Sequence, residues 1–283
     1  NRRNDANRVL RSRWYHDRMG IDSLPVNRCD QPPWVIASPR FNRHPLPLEI
    51  QGVRRAHQSF FSRLESLADP AGRQRCFRDY INLVFQTEKW RRETTPLGRR
   101  SLRNSYLRFL RGWMLDASSA EGAVLKGWVE SRFGLPPVFH AGRIDGIDSR
   151  EYLLYLAERM RESARTNAVE AQFDLLYEFV QYELRRRHPG VPSFTLYRGV
   201  RNLADYRVLE NPGGNRAVVR LNNLNSFSSR IEHAWQFGGN VFEADVPAAK
   251  IFFRADLLPG VLPRGEEEAM VIGGDFEVTV RSY

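Results

Sequence analysis

An α+β fold, helical first and strand-rich last, is what this sequence predicts, and three observations carry it. Apolar residues recur at helical spacing from Leu48 to about Phe133 and again up to about residue 187. After Pro189 they come instead in short β-branched or aromatic bursts separated by Gly, Pro or Asn. With 283 residues, 42% of them hydrophobic, the chain can bury one sizeable core or two modest ones. No apolar burst approaches the roughly 20 residues of a membrane-spanning helix.

The elements follow in order. Pro25 through Pro47 includes Gln31-Pro32-Pro33-Trp34, and prolines at this density disfavour regular helix or central strand. This stretch reads as an ordered arm packed over the surface by Trp34 and Phe41. Val53, Ala56, Phe60, Leu64 and Leu67 then form one helical stripe, and Leu107, Leu110, Trp113 and Met114 another. Gly134-Leu135-Pro136-Pro137 breaks the run, and Gly142 to Asp148 is turn-rich, which puts a boundary near residue 145. The expected division is an arm and helical region over 1–145 and a second domain over 146–283. Two more helices are expected at 149–163 and 166–187, the second marked by Val169, Phe173, Leu176, Val180 and Leu184 and stopped by Pro189-Gly190. Strands follow at Ser193–Tyr197, Ala217–Leu221, Asn240–Val246, Ala249–Phe253, Ala269–Ile272 and Phe276–Val280.

Composition then narrows the function classes. Cys29 and Cys76 are the only cysteines and form no CxxC motif, while the six histidines never fall three or four apart, so metal chemistry has no support. The first residues lead into no apolar secretory segment, and the expected location is cytoplasmic. The net charge of +10 is unevenly placed: residues 1–189 hold 33 Lys and Arg against 22 Asp and Glu, and residues 190–283 hold 10 against 11. Mixed charges interrupt every Arg cluster, which favours a solvated basic face over nucleic-acid binding.

Three motifs in the strand-rich part carry chemistry. Tyr197-Arg198-Gly199 ends a strand with an Arg able to present a charged fork to phosphate. In Leu224-Asn225-Ser226-Phe227-Ser228-Ser229, strand alternation puts the Ser226 and Ser228 hydroxyls on one face and Phe227 on the other. Gly265-Glu266-Glu267-Glu268-Ala269-Met270-Val271-Ile272 runs a glutamate triplet into a hydrophobic strand, so Glu266 and Glu268 share a face.

Arg, Ser-x-Ser and Glu-x-Glu in this order resemble the R-S-E class of mono-ADP-ribosyltransferases, and Phe237-Gly238 and Val246-Pro247 fall where that class has them. The chain as a whole, with Arg13-Trp14-Tyr15-His16 and Leu24-Pro25-Val26-Asn27, is similar to the dinitrogenase reductase ADP-ribosyltransferases of nitrogen-fixing bacteria. The resemblance implies a compact mixed β-sheet catalytic core of ADP-ribosyltransferase type and NAD as co-substrate. It assigns Arg198 and Gly199 to NAD binding and Ser226 to NAD binding and to orienting the catalytic Glu268. Ser228 also falls on the NAD side, although Phe227 stands where the class more often has Thr. Glu268 is implied to hydrogen-bond the nicotinamide-ribose hydroxyl and stabilise the developing oxocarbenium charge. Glu266 takes the position where Glu accompanies arginine acceptors, and a carboxylate suits that task because guanidinium, with a pKa above about 12, must share or lose a proton before attacking.

Implied partners are dinitrogenase reductase as target and a P-II nitrogen-signalling protein as regulator, with the basic helical region docking the target. Trp235, Phe237 and Phe242 are candidates for stacking on nicotinamide, against a core role. Two alternatives stand beside this reading: the same fold acting on another acceptor or on water as an NAD glycohydrolase, and a basic binding protein with a degenerate catalytic module.

Overall fold

The computed structural model describes residues 27–87, 105–163, 167–261 and 268–282. The proline-rich arm is more regular than expected. It contains two short helices, α1 (Pro33–Ile36) and α2 (Pro39–Arg43), each with Pro at its first position, where a missing N–H costs no helical hydrogen bond. Ser38 caps α2 by accepting from the Phe41 N–H. Phe41 is buried as expected, but Trp34 is 45% exposed and does not anchor the arm.

The first helical stripe is divided at His57 into α3 (Val53–Ala56) and α4 (Gln58–Ser66); Phe60 and Leu64 are buried, whereas Ala56 faces solvent. Next come α5 (Pro70–Phe85), capped by Asp69, and α6 (Tyr106–Leu115), capped by Ser105. Helix α7 (Ala120–Phe133) starts at the Ser119 cap and ends where Gly134 takes the left-handed conformation, φ 69°. The two expected late helices are α8 (Arg150–Ser163) and α9 (Asn167–Arg187). Among the described residues no helix is long and apolar enough to cross a membrane.

Helix α9 is the axis of the helical region. All five residues of its expected stripe are buried, and so are Leu175, Tyr177 and Phe179 outside that stripe. Its buried acids are paired with arginines from preceding helices: Asp174 with Arg132 at 2.8 Å, Glu178 with Arg54 at 2.7 Å and Glu183 with Arg73 at 2.5 Å. Each pairing sets a hydrogen-bonded guanidinium against a buried carboxyl group, which offsets the cost of burying either one alone.

The sheet has six strands: β1 (Ser193–Val200), β2 (Arg207–Gly213), β3 (Arg216–Ser228), β4 (Asn240–Pro247), β5 (Ile251–Arg254) and β6 (Glu268–Ser282). The α+β class holds, and every pairing among the described residues is antiparallel where a mixed sheet was expected. Strands β3 and β6 pair along most of their length, from Arg216↔Thr279 to Ser228↔Glu268. Strands β1 and β4 pair with each other over eight residues and close the ladder, β1 meeting β3 at Tyr197↔Ser228 and β4 meeting the end of β6.

Two departures from the predicted strands have physical causes. Ala269–Ile272 and Phe276–Val280 belong to one strand because Gly273 and Gly274 carry the backbone through a bend against the arm. Gly274 has φ 118°, and a Cβ there would lie 2.7 Å from Ala37, whose carbonyl accepts from the Asp275 N–H. Strand β3 continues past Leu221 through Asn222, Asn223 and Asn225, poor strand formers by propensity. Asn223 donates to the carbonyls of Lys126 and Leu135 and Asn222 to that of Phe139, while Asn225 donates back along the strand to the Asn222 carbonyl. Trp128 of α7 packs on Phe252 of β5 with ring centroids 4.6 Å apart, so one apolar core runs from the helices into the sheet.

Candidate active site

The ends of β1, β3 and β6 converge because of their registers. Ser226 faces Met270 and Ser228 faces Glu268 across the β3–β6 ladder, while Tyr197 sits opposite Ser228 on β1. Alternation therefore puts Ser226, Ser228 and Glu268 on one face, with Phe227 buried on the other against Phe276. All three line a cleft of about 690 Å³ that also takes in Arg198 and Gly199. A cleft of this size suits a dinucleotide-sized ligand.

The central contact is a hydrogen bond of 2.5 Å from the Ser226 hydroxyl to Glu268 Oε1. Arg198 donates from Nη1 to the Ser226 carbonyl at 2.8 Å and from Nε to the Tyr206 hydroxyl at 3.2 Å, which fixes its guanidinium at the cleft wall. The Ser228 hydroxyl turns to its own chain, accepting from the Arg230 N–H at 3.1 Å. Gly199 is needed for a close approach: a Cβ there would fall 2.1 Å from the Ala234 carbonyl oxygen and 2.8 Å from the Phe237 side chain. Only glycine lets the helix α10 (Ile231–Ala234) and the turn after it close over β1. Of the aromatic candidates, Phe242 is core, its ring 5.0 Å from that of Tyr206. Phe237 is 60% exposed and lines the cleft. Glu266, and the chain from Leu262 to Glu267, lie outside the described residues.

The cleft wall is rich in cations. Arg143, Arg201 and Arg207 join Arg198 there, Arg143 paired with Asp145 at 2.9 Å, and Asp116, Asp205 and Glu268 are further acids of the lining. That arrangement can hold an anionic diphosphate near a carboxylate. Arg220 is already engaged, bidentate to Asp275 at 2.7 and 2.8 Å.

Three residues of the site escaped the sequence reading. Trp113 of α6 donates its indole N–H to the Ser226 hydroxyl at 2.9 Å. Tyr206 receives Arg198. Lys126 of α7 is fully buried behind the cleft, donating to the Phe139 carbonyl at 2.9 Å and lying 3.2 Å from His140 Nδ1, whose other nitrogen meets Glu158 at 2.8 Å. Burial pushes the Lys126 ammonium down to about 7, with Asp116 and Glu158 opposing. Burial, with the Lys126 charge adding to it, also lowers His140. Trp113 occupied an ordinary place in an apolar stripe, and nothing in its spacing separated it from the core.

Comparison with known proteins bears on this geometry directly. The profile of the family described as Dinitrogenase reductase ADP-ribosyltransferase (DRAT) matches residues 26–280. The NAD(+)--dinitrogen-reductase ADP-D-ribosyltransferase of Rhodospirillum rubrum is 38% identical over 266 residues, covering 93% of this chain and 96% of that protein. No solved structure matches. Arg198, Ser226 and Glu268 thus meet in a cleft of a chain that is matched almost end to end, and the chain belongs to the dinitrogenase reductase ADP-ribosyltransferase family.

Proposed function

We propose that this chain transfers ADP-ribose from NAD to an arginine of dinitrogenase reductase and thereby inactivates it to regulate nitrogen fixation. The observation that carries the reading is the Ser226–Glu268 hydrogen bond in a cleft walled by Arg198, within a chain of this family. Arg198 binds the pyrophosphate of NAD as a forked cation, and Gly199 beside it borders the NAD site while admitting the close approach of α10. Ser226 holds Glu268 toward the nicotinamide ribose, and Ser228 borders the same pocket.

The chemistry balances with these groups. The bond between ribose C1′ and the nicotinamide nitrogen breaks, its electron pair leaving with neutral nicotinamide. The positive charge left on the ribose is stabilised by the Glu268 carboxylate. A guanidino nitrogen of the acceptor then bonds to C1′, and its proton passes to Glu266. Residues 146–283 supply most of this chemistry in our reading, and residues 1–145 dock the target. The expected setting is the cytoplasm, with a P-II nitrogen-signalling protein as regulator.

The test incubates the protein with NAD labelled on its adenylate half and purified dinitrogenase reductase, comparing the intact chain with Glu268→Gln and Glu266→Gln. Label on an arginine of the target, lost in the first variant and reduced in the second, supports the reading. NAD cleavage with an unlabelled target moves it to a different acceptor or to NAD glycohydrolase activity. No cleavage under activating conditions rejects it. If the basic region steers docking, transfer at saturating NAD falls with added salt; salt-insensitive transfer removes that role.

A further inference from the structure

We propose that Trp113, from the helical region, is a positioning residue for Glu268 that acts through Ser226. The inference rests on the reading of Glu268 as the catalytic carboxylate. A serine hydroxyl has one proton to give and can accept, an indole N–H can only donate, and an ionised carboxylate can only accept. With Trp113 Nε1 2.9 Å from Ser226 Oγ and Glu268 Oε1 2.5 Å from it, the order is fixed: indole to hydroxyl, hydroxyl to carboxylate. The serine proton is therefore committed to Glu268. A hydroxyl that accepts a hydrogen bond also becomes a better donor, so the indole strengthens the grip on the carboxylate.

The rest of the surroundings hold this chain still. Ser226 is gripped at its carbonyl by Arg198, so both polar ends of the residue are fixed by partners on other elements. Trp113 is 3% exposed, and Lys126 Nζ lies 5.9 Å from the centre of its ring. The same helix also holds the chain ahead of β6: Arg111 donates to the Val261 carbonyl at 3.2 Å. A strand-rich module cut away from the helices would keep Ser226 and Glu268 but lose the donor that orders them.

The test is a cycle of Trp113→Phe, Ser226→Ala and the double variant, reading kcat and KM for NAD cleavage with agmatine as a small guanidino acceptor. Trp113→Phe removes the N–H together with the pyrrole half of the indole and keeps an aromatic ring in its place. It should lower kcat about tenfold with KM for NAD within about twofold, and it should cost nothing further in the Ser226→Ala background. Equal additional loss in that background would overturn the proposal, since a purely structural tryptophan acts regardless of Ser226.

A second measurement does not depend on turnover or on replacing Trp113. In protein labelled with 15N at tryptophan, the Trp113 indole N–H resonance should move in Ser226→Ala and, by a smaller amount, in Glu268→Gln. A resonance unmoved in Ser226→Ala overturns the proposal even if the enzyme is fully active. An inactive wild-type protein whose resonance does move defeats the functional reading and leaves the hydrogen-bond chain standing.

Discussion

The helical region and the cleft use the same residue, arginine, for opposite purposes. In the helices Arg73 and Arg132 are buried and turned inward to pair with acids of α9, where they replace solvent for charges that would otherwise be stranded. In the sheet Arg198 is turned outward to a cleft, fixed by neutral acceptors, the Ser226 carbonyl and the Tyr206 hydroxyl. A neutral acceptor orients a guanidinium without cancelling its charge, so Arg198 stays available to an anionic ligand. Each buried pair removes one cation and one anion, so the charge surplus of the first 189 residues is untouched by them and is carried by the remaining side chains.

That contrast can be broken at its structural end first. Glu183 carries both Arg73 and Arg187, at 2.5 and 2.8 Å. Glu183→Ala strands a buried guanidinium and should destabilise the protein by about 3–5 kcal/mol, read from denaturant midpoints. A loss below about 1 kcal/mol would mean that water reaches Arg73 when its partner goes.

At the chemical end, Glu268→Gln should lower NAD turnover at least about a hundredfold while leaving the unfolding midpoint nearly unchanged. Joint loss of stability and activity would place Glu268 among the structural acids and dissolve the contrast. Arg198→Lys tests the cation itself. Lysine keeps the charge but cannot hold two acceptors and a phosphate with one planar fork, so KM for NAD should rise about tenfold with a smaller change in kcat. An unchanged KM would assign phosphate binding to Arg143, Arg201 or Arg207.

The pH dependence of stability turns on two of the three lysines. Lys126 and Lys250 are fully buried, and burial pushes each down to about 7. Between about pH 7 and 10 the unfolded chain holds these protons and the folded one does not, so stability should rise with pH across that window. Above about pH 10 Tyr155 and Tyr177, whose burial holds their ionisation well above the ordinary tyrosine range, oppose the gain because the unfolded chain ionises first. The thermal midpoint should climb from pH 7 to 9. Lys250→Met should flatten the climb; a slope that persists in full would assign the effect to other groups.

Much of the fold was legible because local chemistry and tertiary structure agreed. Val169, Phe173, Leu176, Val180 and Leu184 recur at helical spacing and are all buried in α9. Where the two disagreed, long-range partners decided. Asn222 and Asn223 argue against strand by propensity, yet β3 runs through them because helix and loop carbonyls take their amides. Strand β2, a pattern of Arg, Glu, Asn and Gly, was missed because it is largely exposed and carries almost no hydrophobic alternation. The arm showed the reverse error: proline density suggested irregular chain, but Pro33 and Pro39 stand at the helical position that tolerates them.

For the site, the sequence by itself determined which side chains share a face. Period two in a strand is a local property, so Ser226 with Ser228, and the outward placement of Glu268, follow from alternation alone. It also determined the family, because Arg198, the serines and the glutamates stand in family order. Only the tertiary structure decided that Ser226 meets Glu268, because that depends on the β3–β6 register, 42 residues apart in the chain. Only it placed Trp113 on Ser226, from 113 residues away. An indole in an apolar stripe packs identically whether or not its N–H finds a partner, and periodicity records the packing but not the partner.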